Sequence, residues 1–192
     1  MKNKEKYLKV MFSNKSKANG IGLEYKIGEV NTAKIWNPKD LDPKKMGGFN
    51  FSTESKILRW LVRGDTMYDV IIPEDAEIID CPNESAPHGV FRTNKIIINN
   101  PRIITDEMAM ELYYKSDLPE KSYFKAMAGC AVRGYINTAK QILKDKVNKS
   151  NVEIALIEFM DFCRPQDGRE FNSNNLDDNC KEIYKRMLDI KN

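Results

Sequence analysis

The 192-residue chain carries 31 basic and 28 acidic side chains, and 41% of its residues are hydrophobic, as in ordinary folded proteins. Its net charge of +3 is too small to indicate a nucleic-acid-binding domain. No apolar run reaches the roughly 20 residues that a membrane helix needs, and no apolar segment follows the charged N-terminus. We therefore expect a cytoplasmic protein without a membrane partner.

The scattered cysteines and the single histidine argue against a bound metal, and the missing nucleotide-binding motifs argue against a cofactor. The four cysteines, none in a C-x-x-C pair, are scattered along the chain. A zinc site would have to gather ligands from distant segments, so we expect reduced thiols and no metal site. No phosphate-binding or dinucleotide-binding motif occurs, and we expect no cofactor.

The first half of the chain has the pattern of β-structure. Alternating or continuous apolar residues predict short strands, with residues 76–81 either extending the strand before them or pairing separately. The predicted strands cover 7–13, 23–30, 49–51, 67–72, 76–81 and 91–100.

One helix is predicted among these strands. Apolar residues recur at helical spacing over 57–62, Ser52 can cap the first turn, and Gly64 can end the helix in a left-handed conformation.

The second half changes to helical periodicity. Thr105 is placed to cap the first helix, and Gly134 separates two later ones. The predicted helices cover 105–114, 120–132, 136–147, 151–162 and 176–190. The sequence thus predicts an α+β protein: a small N-terminal mixed or antiparallel sheet with one helix over 1–104, then an all-helical part over 105–192. The two parts form separate domains or pack as one unit.

Two loops are candidate contact surfaces, residues 36–48 and 82–89. Trp36 begins the first loop in a polar context and is a candidate interface anchor. His88 lies in the second; it is either an exposed loop residue or an acid–base group paired with Glu84. Arg92, on the predicted strand with Asn94, either clamps an anion together with Arg59 or Arg63 or is an ordinary surface residue.

The segment 123–143 resembles one ankyrin repeat. Small residues, a turn glycine and an apolar second-helix face fall where that repeat has them, at Ala126, Ala131, Gly134, Tyr135, Ala139, Ile142 and Leu143. The resemblance implies an antiparallel helix pair that stacks on neighbouring helices, a scaffold that commonly binds proteins.

A second resemblance covers residues 45–105. The runs Gly48-Phe-Asn-Phe-Ser-Thr, Tyr68-Asp-Val and Arg92-Thr-Asn-Lys-Ile-Ile-Ile are similar to an uncharacterised domain of ankyrin-containing proteins from large DNA viruses and mobile elements. This resemblance implies a viral setting and a host protein as partner.

A weaker resemblance is to ADP-ribosyltransferases, because Phe51-Ser-Thr matches the aromatic-Ser-Thr strand end of that fold. It implies Ser52 and Thr53 for positioning and Arg92 or Lys9 for phosphate contact. The late strand carries no glutamate where that family has its catalytic carboxylate, which argues against an active transferase.

The sequence therefore favours a non-enzymatic protein-binding module, a viral or mobile-element protein that binds and inhibits a host defence protein. The alternative is an ADP-ribosyltransferase-like enzyme or an NAD- or nucleotide-binding protein. No catalytic residue is assigned, and the candidate binding residues are Trp36, Phe49, Ser52, Thr53, Arg59, Arg63, His88, Arg92 and Asn94.

Overall fold

The computed structural model describes residues 6–16, 22–40, 42–81, 89–165 and 170–192. Its chain divides into two compact units. The sheet unit comprises Met1–Ile57 and Arg63–Ile104, and the helical unit comprises Leu58–Val62 and Thr105–Asn192. The predicted α+β class is confirmed. Across the described ranges, no helix is both long and apolar enough to cross a bilayer.

The sheet has seven strands, more than the small sheet predicted, and neighbouring strands all pair antiparallel. Their order across the sheet is β2-β7-β4-β1-β3-β6-β5. The strands are β1 (Tyr7–Met11), β2 (Asn31–Thr32), β3 (Phe49–Thr53), β4 (Thr66–Ile71), β5 (Ile78–Asp80), β6 (Phe91–Thr93) and β7 (Lys95–Ile103).

Two strand predictions are wrong in detail. The segment 23–30 makes only isolated bridges, at Glu24 and Ile27, because the chain turns at Gly28, which has φ of +79°, and the Asn31 side chain bonds both backbone groups of Lys26. The predicted strand 91–100 is two strands, β6 and β7, separated by Asn94.

The sheet is strongly curled, and the break at Asn94 requires it. Strands β6 and β7 hold the sixth and second places in the sheet order, so in a flat sheet they would lie at least about 19 Å apart. Thr93 and Lys95 are separated by one residue, which allows roughly 7 Å. The sheet must therefore bend until strands from its two sides meet.

The core of the sheet unit reflects this curl, because strands far apart in the sheet order share one apolar cluster. Aromatic pairs hold it together: the rings of Tyr25 and Phe49 lie 5.4 Å apart, and those of Phe51 and Phe91 stack at 5.5 Å. The buried members are Met11, Tyr25, Phe49, Phe51, Tyr68, Val70, Ile96 and Ile98.

The helix predicted between β3 and β4 is a 3₁₀ helix, Ile57–Arg63, and neither of its predicted end signals is correct. Ser52 does not cap it: Ser52 lies inside β3, and its hydroxyl donates to the carbonyl of Gly89. Gly64 has no positive φ. It is needed for its size, because an added Cβ would lie 2.0 Å from the carbonyl oxygen of Met11.

A four-residue helix, α1 (Pro43–Met46), precedes β3. The longer helices match the predictions closely, because their caps and periodicity are local. They are α2 (Asp106–Lys115), α3 (Glu120–Val132), α4 (Ile136–Lys146), α5 (Val152–Cys163) and α6 (Asp178–Lys191). The predicted Thr105 cap is confirmed, since its hydroxyl accepts from the Met108 amide at 3.3 Å.

Helix α3 is the centre of the helical unit and packs against α4, α5 and α6. Its small residues, among them Ala126 and Ala131, are fully buried and allow these helices to approach closely. Gly134, with φ of +81°, turns the chain between α3 and α4, and the Tyr135 amide donates to the Cys130 carbonyl at 2.8 Å. The helix pair predicted over 123–143 is therefore present.

Replacing Gly64 with alanine should destabilise the sheet unit by about 2–4 kcal/mol, because the new methyl group would overlap the Met11 backbone. Gly28→Ala is the matched control: Gly28 has φ of +79°, but the nearest atom to its added Cβ is 3.7 Å away. It should cost only the left-handed strain, about 1 kcal/mol. Urea denaturation measures the free energy of unfolding of both variants. Equal losses of stability in the two would contradict the predicted overlap with Met11.

Candidate functional site

The loop before β3 is built around two glycines. Gly47 and Gly48 have φ of +71° and +73°, a region that favours glycine. An added Cβ on Gly47 would lie 2.1 Å from the Ile35 carbonyl oxygen, and one on Gly48 would lie 2.5 Å from the Trp36 ring. The Gly48 amide donates to the Ile35 carbonyl at 2.9 Å. Only glycines let the backbone lie directly beneath the indole.

The Trp36 indole is held on its polar edge as well. Its N–H donates to the carboxylate of Glu77, just before β5. The Glu77 amide in turn donates to the side-chain oxygen of Asn94 at 2.9 Å, and the Ala33 amide donates to the Asn94 carbonyl at 2.8 Å. Arg92 reaches the same loop and donates to the Gly47 carbonyl at 2.9 Å.

Three of the predicted site residues, Trp36, Arg92 and Asn94, are thus brought together. Two exposed apolar side chains belong to the same segments: Ile35, beside Trp36 in the chain, is 61% exposed, and Ile78, which follows Glu77 and pairs with Thr93, is 44% exposed. Strand β5, which carries Ile78, is the last strand of the sheet. We call Ile35, Trp36, Glu77 and Ile78 the Trp36 surface.

The other predicted residues of the sheet unit lie elsewhere. Phe49, Ser52 and Thr53 are buried, with Phe49 in the core cluster. The Ser52 hydroxyl is bonded to Gly89, and the Thr53 hydroxyl lies 3.1 Å from that of Ser55. These side chains belong to the interior of the unit and not to its surface.

The remaining candidates do not join this group. Arg59 is buried in the helical unit, with its guanidinium 5.3 Å from the centre of the Trp60 ring. Arg63 is exposed and belongs to the sheet unit. His88, with residues 82–88, lies outside the described residues. Within the described ranges, no three His, Cys, Asp or Glu side chains converge as metal ligands do.

Lys9 is an unusual polar group of the sheet unit, and the sequence suggested it only as a phosphate contact in the transferase alternative. Its side chain is only 5% exposed and lies 5.1 Å from the centre of the Tyr25 ring. The amine donates to the side-chain oxygen of Asn50 at 2.8 Å and to the Asn50 carbonyl at 2.5 Å. The sequence signal was its place in β1, where alternation puts a lysine on the face of Tyr7 and Met11.

Burial has a strong electrostatic effect on this group. Loss of water, assisted by the positive charge of Arg92, lowers the pKa of Lys9 to about 7. Burial also raises the pKa of Tyr25 well above its usual range, although the charge of Arg92 opposes that shift. The positive charge of Arg92 therefore acts on both the amine of Lys9 and the phenol of Tyr25.

Comparison with known proteins yields no relative. No family model, no curated protein and no solved structure matches this chain. The resemblances to ankyrin repeats, to the viral domain and to ADP-ribosyltransferases remain expectations, and the function must be argued from the residues.

Replacing Lys9 with methionine should change how stability depends on pH. The unfolded amine titrates at 10.5 and the folded one at about 7, so the unfolded chain binds more protons between these values. Wild-type stability therefore gains on the order of 3–5 kcal/mol as pH rises from 7 to 10.5. Below pH 7 the amine is charged in both the folded and the unfolded chain, so its cost to stability no longer changes with pH. Lys9→Met should lack this gain.

Urea denaturation at several pH values from 6 to 10 measures the difference between wild type and Lys9→Met. Lys26→Met is the control for removing one lysine charge, because the Lys26 side chain is 74% exposed. Parallel pH profiles for wild type and Lys9→Met would show that Lys9 is not a buried, easily deprotonated amine.

Proposed function

We propose that this chain is a non-enzymatic protein-binding module of viral or mobile-element origin, which binds and inhibits a host defence protein in the cytoplasm. The observation that carries the proposal is the Trp36 surface. It combines an immobilised aromatic ring with exposed apolar neighbours at the end of a sheet.

Trp36 has the properties of an interface anchor. Tryptophan is among the residues that contribute most to protein–protein binding energy. Here the Glu77 carboxylate fixes one edge of the indole and the Gly48 backbone supports its ring. Because the ring is already held, binding a partner costs less side-chain entropy than it would for a free tryptophan.

Strand β5 adds a second means of recognition. It pairs with β6 and, within the described ranges, with no other strand, so we propose that its second edge accepts an incoming strand. A peptide that adds to such an edge gains main-chain hydrogen bonds, and side-chain contacts supply specificity. Ile78 on β5, the exposed neighbour of Glu77 in the chain, would provide an apolar contact to such a peptide.

The groups that a transferase would use support binding over catalysis. The hydroxyl of Ser52 is committed to a buried carbonyl, and the amine of Lys9 is committed to Asn50. Neither group is at the surface. The ankyrin-like helix pair, a scaffold that commonly binds proteins, and the resemblance to viral proteins support a host partner.

Replacing Ile35 with aspartate should abolish capture of the partner from host-cell lysate, because it places a charge beside Trp36 in the proposed contact. Ile103→Asp is the matched control, since Ile103 is also an exposed isoleucine of the sheet unit, at 68%. Quantitative mass spectrometry of captured proteins compares the variants with wild type. A stoichiometric partner retained by Ile103→Asp and lost by Ile35→Asp is expected.

Circular dichroism and thermal melting should show both variants folded. Equal capture by Ile35→Asp and wild type would remove the Trp36 surface from the proposal. If wild type captured no stoichiometric partner and converted NAD to product, the protein-binding function itself would be contradicted.

The second candidate is an NAD- or nucleotide-binding protein related to ADP-ribosyltransferases. One observation favours it: the positive charge of Arg92 acts on Lys9, so a guanidinium and an amine lie near each other in the sheet unit. Both could meet a diphosphate if the site opened.

Titration calorimetry with millimolar NAD distinguishes the candidates. We expect no heat of binding, because Lys9 is enclosed and bonded to Asn50. Saturable heat that disappears in Lys9→Met would favour the nucleotide-binding alternative.

A further inference from the structure

Two cysteines meet in the helical unit. Cys163 is the last residue of α5, and Cys180 lies in the first turn of α6. The Cys163 side chain lies close enough to Cys180 to affect the pKa of its thiol. The other two cysteines, Cys81 and Cys130, are buried at separate places in the chain.

The packing of α5 on α6 supports this contact independently. The rings of Phe159 on α5 and Tyr184 on α6 stack with centroids 6.3 Å apart and an interplanar angle of 26°. Cys163 lies one helical turn after Phe159, and Cys180 one turn before Tyr184. Helices α5 and α6 run antiparallel, because the Lys191 amine at the end of α6 lies 3.2 Å from the Glu153 carboxylate at the start of α5. Residues displaced in this way therefore face each other again.

The spacing of packed helices suits a disulfide. Helix axes at a contact lie about 8–10 Å apart, and Cα atoms lie about 2.3 Å from each axis. Facing Cα atoms are then roughly 3.5–5.5 Å apart, which overlaps the range of about 4.4–6.8 Å found in disulfides. At this spacing, cysteines that face each other across two packed helices can be joined with little movement of the backbone.

The two thiols differ in access. Cys163 is partly exposed, whereas Cys180 is 1% exposed. The neighbouring Cys163 side chain, burial and nearby Asp177 together raise the pKa of the Cys180 thiol. An oxidant from solvent therefore meets Cys163 first, and Cys180 is positioned to react with the product.

We propose that Cys163 and Cys180 form an oxidation site at which hydrogen peroxide joins α5 to α6 through a disulfide. The sulfur of Cys163 attacks one peroxide oxygen, the O–O bond breaks, and the departing hydroxide takes the proton of the Cys163 thiol and leaves as water. This gives a sulfenic acid on Cys163. The sulfur of Cys180 then attacks that sulfur, the S–O bond breaks, and a second water leaves.

The disulfide would fix the end of the chain. Ile183 and Met187 of α6 are fully buried in the helical unit, so α6 contributes to its core. Closing the loop between α5 and α6 restricts the unfolded chain and should stabilise the attachment of α6. In a reducing cytoplasm the thiols stay free, so the bond would form under oxidative stress.

The test uses the purified, reduced full chain exposed to equimolar hydrogen peroxide. Free thiols are then alkylated, first in the folded and then in the unfolded state, and peptides are mapped by mass spectrometry. We expect a monomer lighter by two hydrogen atoms, with the Cys163 and Cys180 peptides cross-linked. Cys81 and Cys130 should be alkylated only after unfolding, and dithiothreitol should restore all four thiols.

Variants separate the two steps. Cys163→Ser should form no cross-link, and Cys180→Ser should accumulate a sulfenic acid on Cys163 that dimedone labels. Cys81→Ser is the control and should still form the bond. The wild-type cross-link is measured directly, so the test stands even if a variant fails to fold. Over-oxidised Cys163 with an intact Cys180 thiol, or a disulfide-linked dimer, would overturn the proposal.

Discussion

The one-residue break at Asn94 is the constraint on which the sheet unit depends. It joins two strands that lie far apart in the sheet order, and a flat sheet cannot satisfy that connection. The same residue also holds two other segments. Its carbonyl accepts from Ala33, and its side-chain oxygen accepts from Glu77. The bend that closes the core therefore also places the segments that form the Trp36 surface.

The curl has an electrostatic cost in its interior. A lysine in β1 loses nearly all contact with water, and its amine is satisfied by the neighbouring strand through Asn50. Burying a charge without an opposite charge is unfavourable, so the group moves towards its neutral form. In return, the bonds to Asn50 specify how β1 and β3 align, because a one-residue slip would move the amine to the other face.

The sequence predicted what is determined locally and missed what depends on distant contacts. Helices α2 to α6 were predicted almost to the residue, because their caps and apolar periodicity lie within each segment. The roles of Ser52 and Gly64 were wrong because each is decided by a remote partner, Gly89 or Met11. Residue type singled out Trp36 and Arg92, but nothing in the local pattern indicated that Glu77 would hold the indole.

A binding surface and a reactive centre differ in which existing contacts the protein would have to break before it could act. For Ser52 to contact a substrate, it would have to leave the carbonyl of Gly89 and emerge from the interior. Leaving that buried carbonyl unsatisfied would cost about 1–3 kcal/mol before any ligand was bound. Trp36 needs no such rearrangement, because its ring is fixed in the free protein and remains partly exposed. The smaller free energy of rearrangement therefore favours recognition at the Trp36 surface, independently of any resemblance to viral proteins.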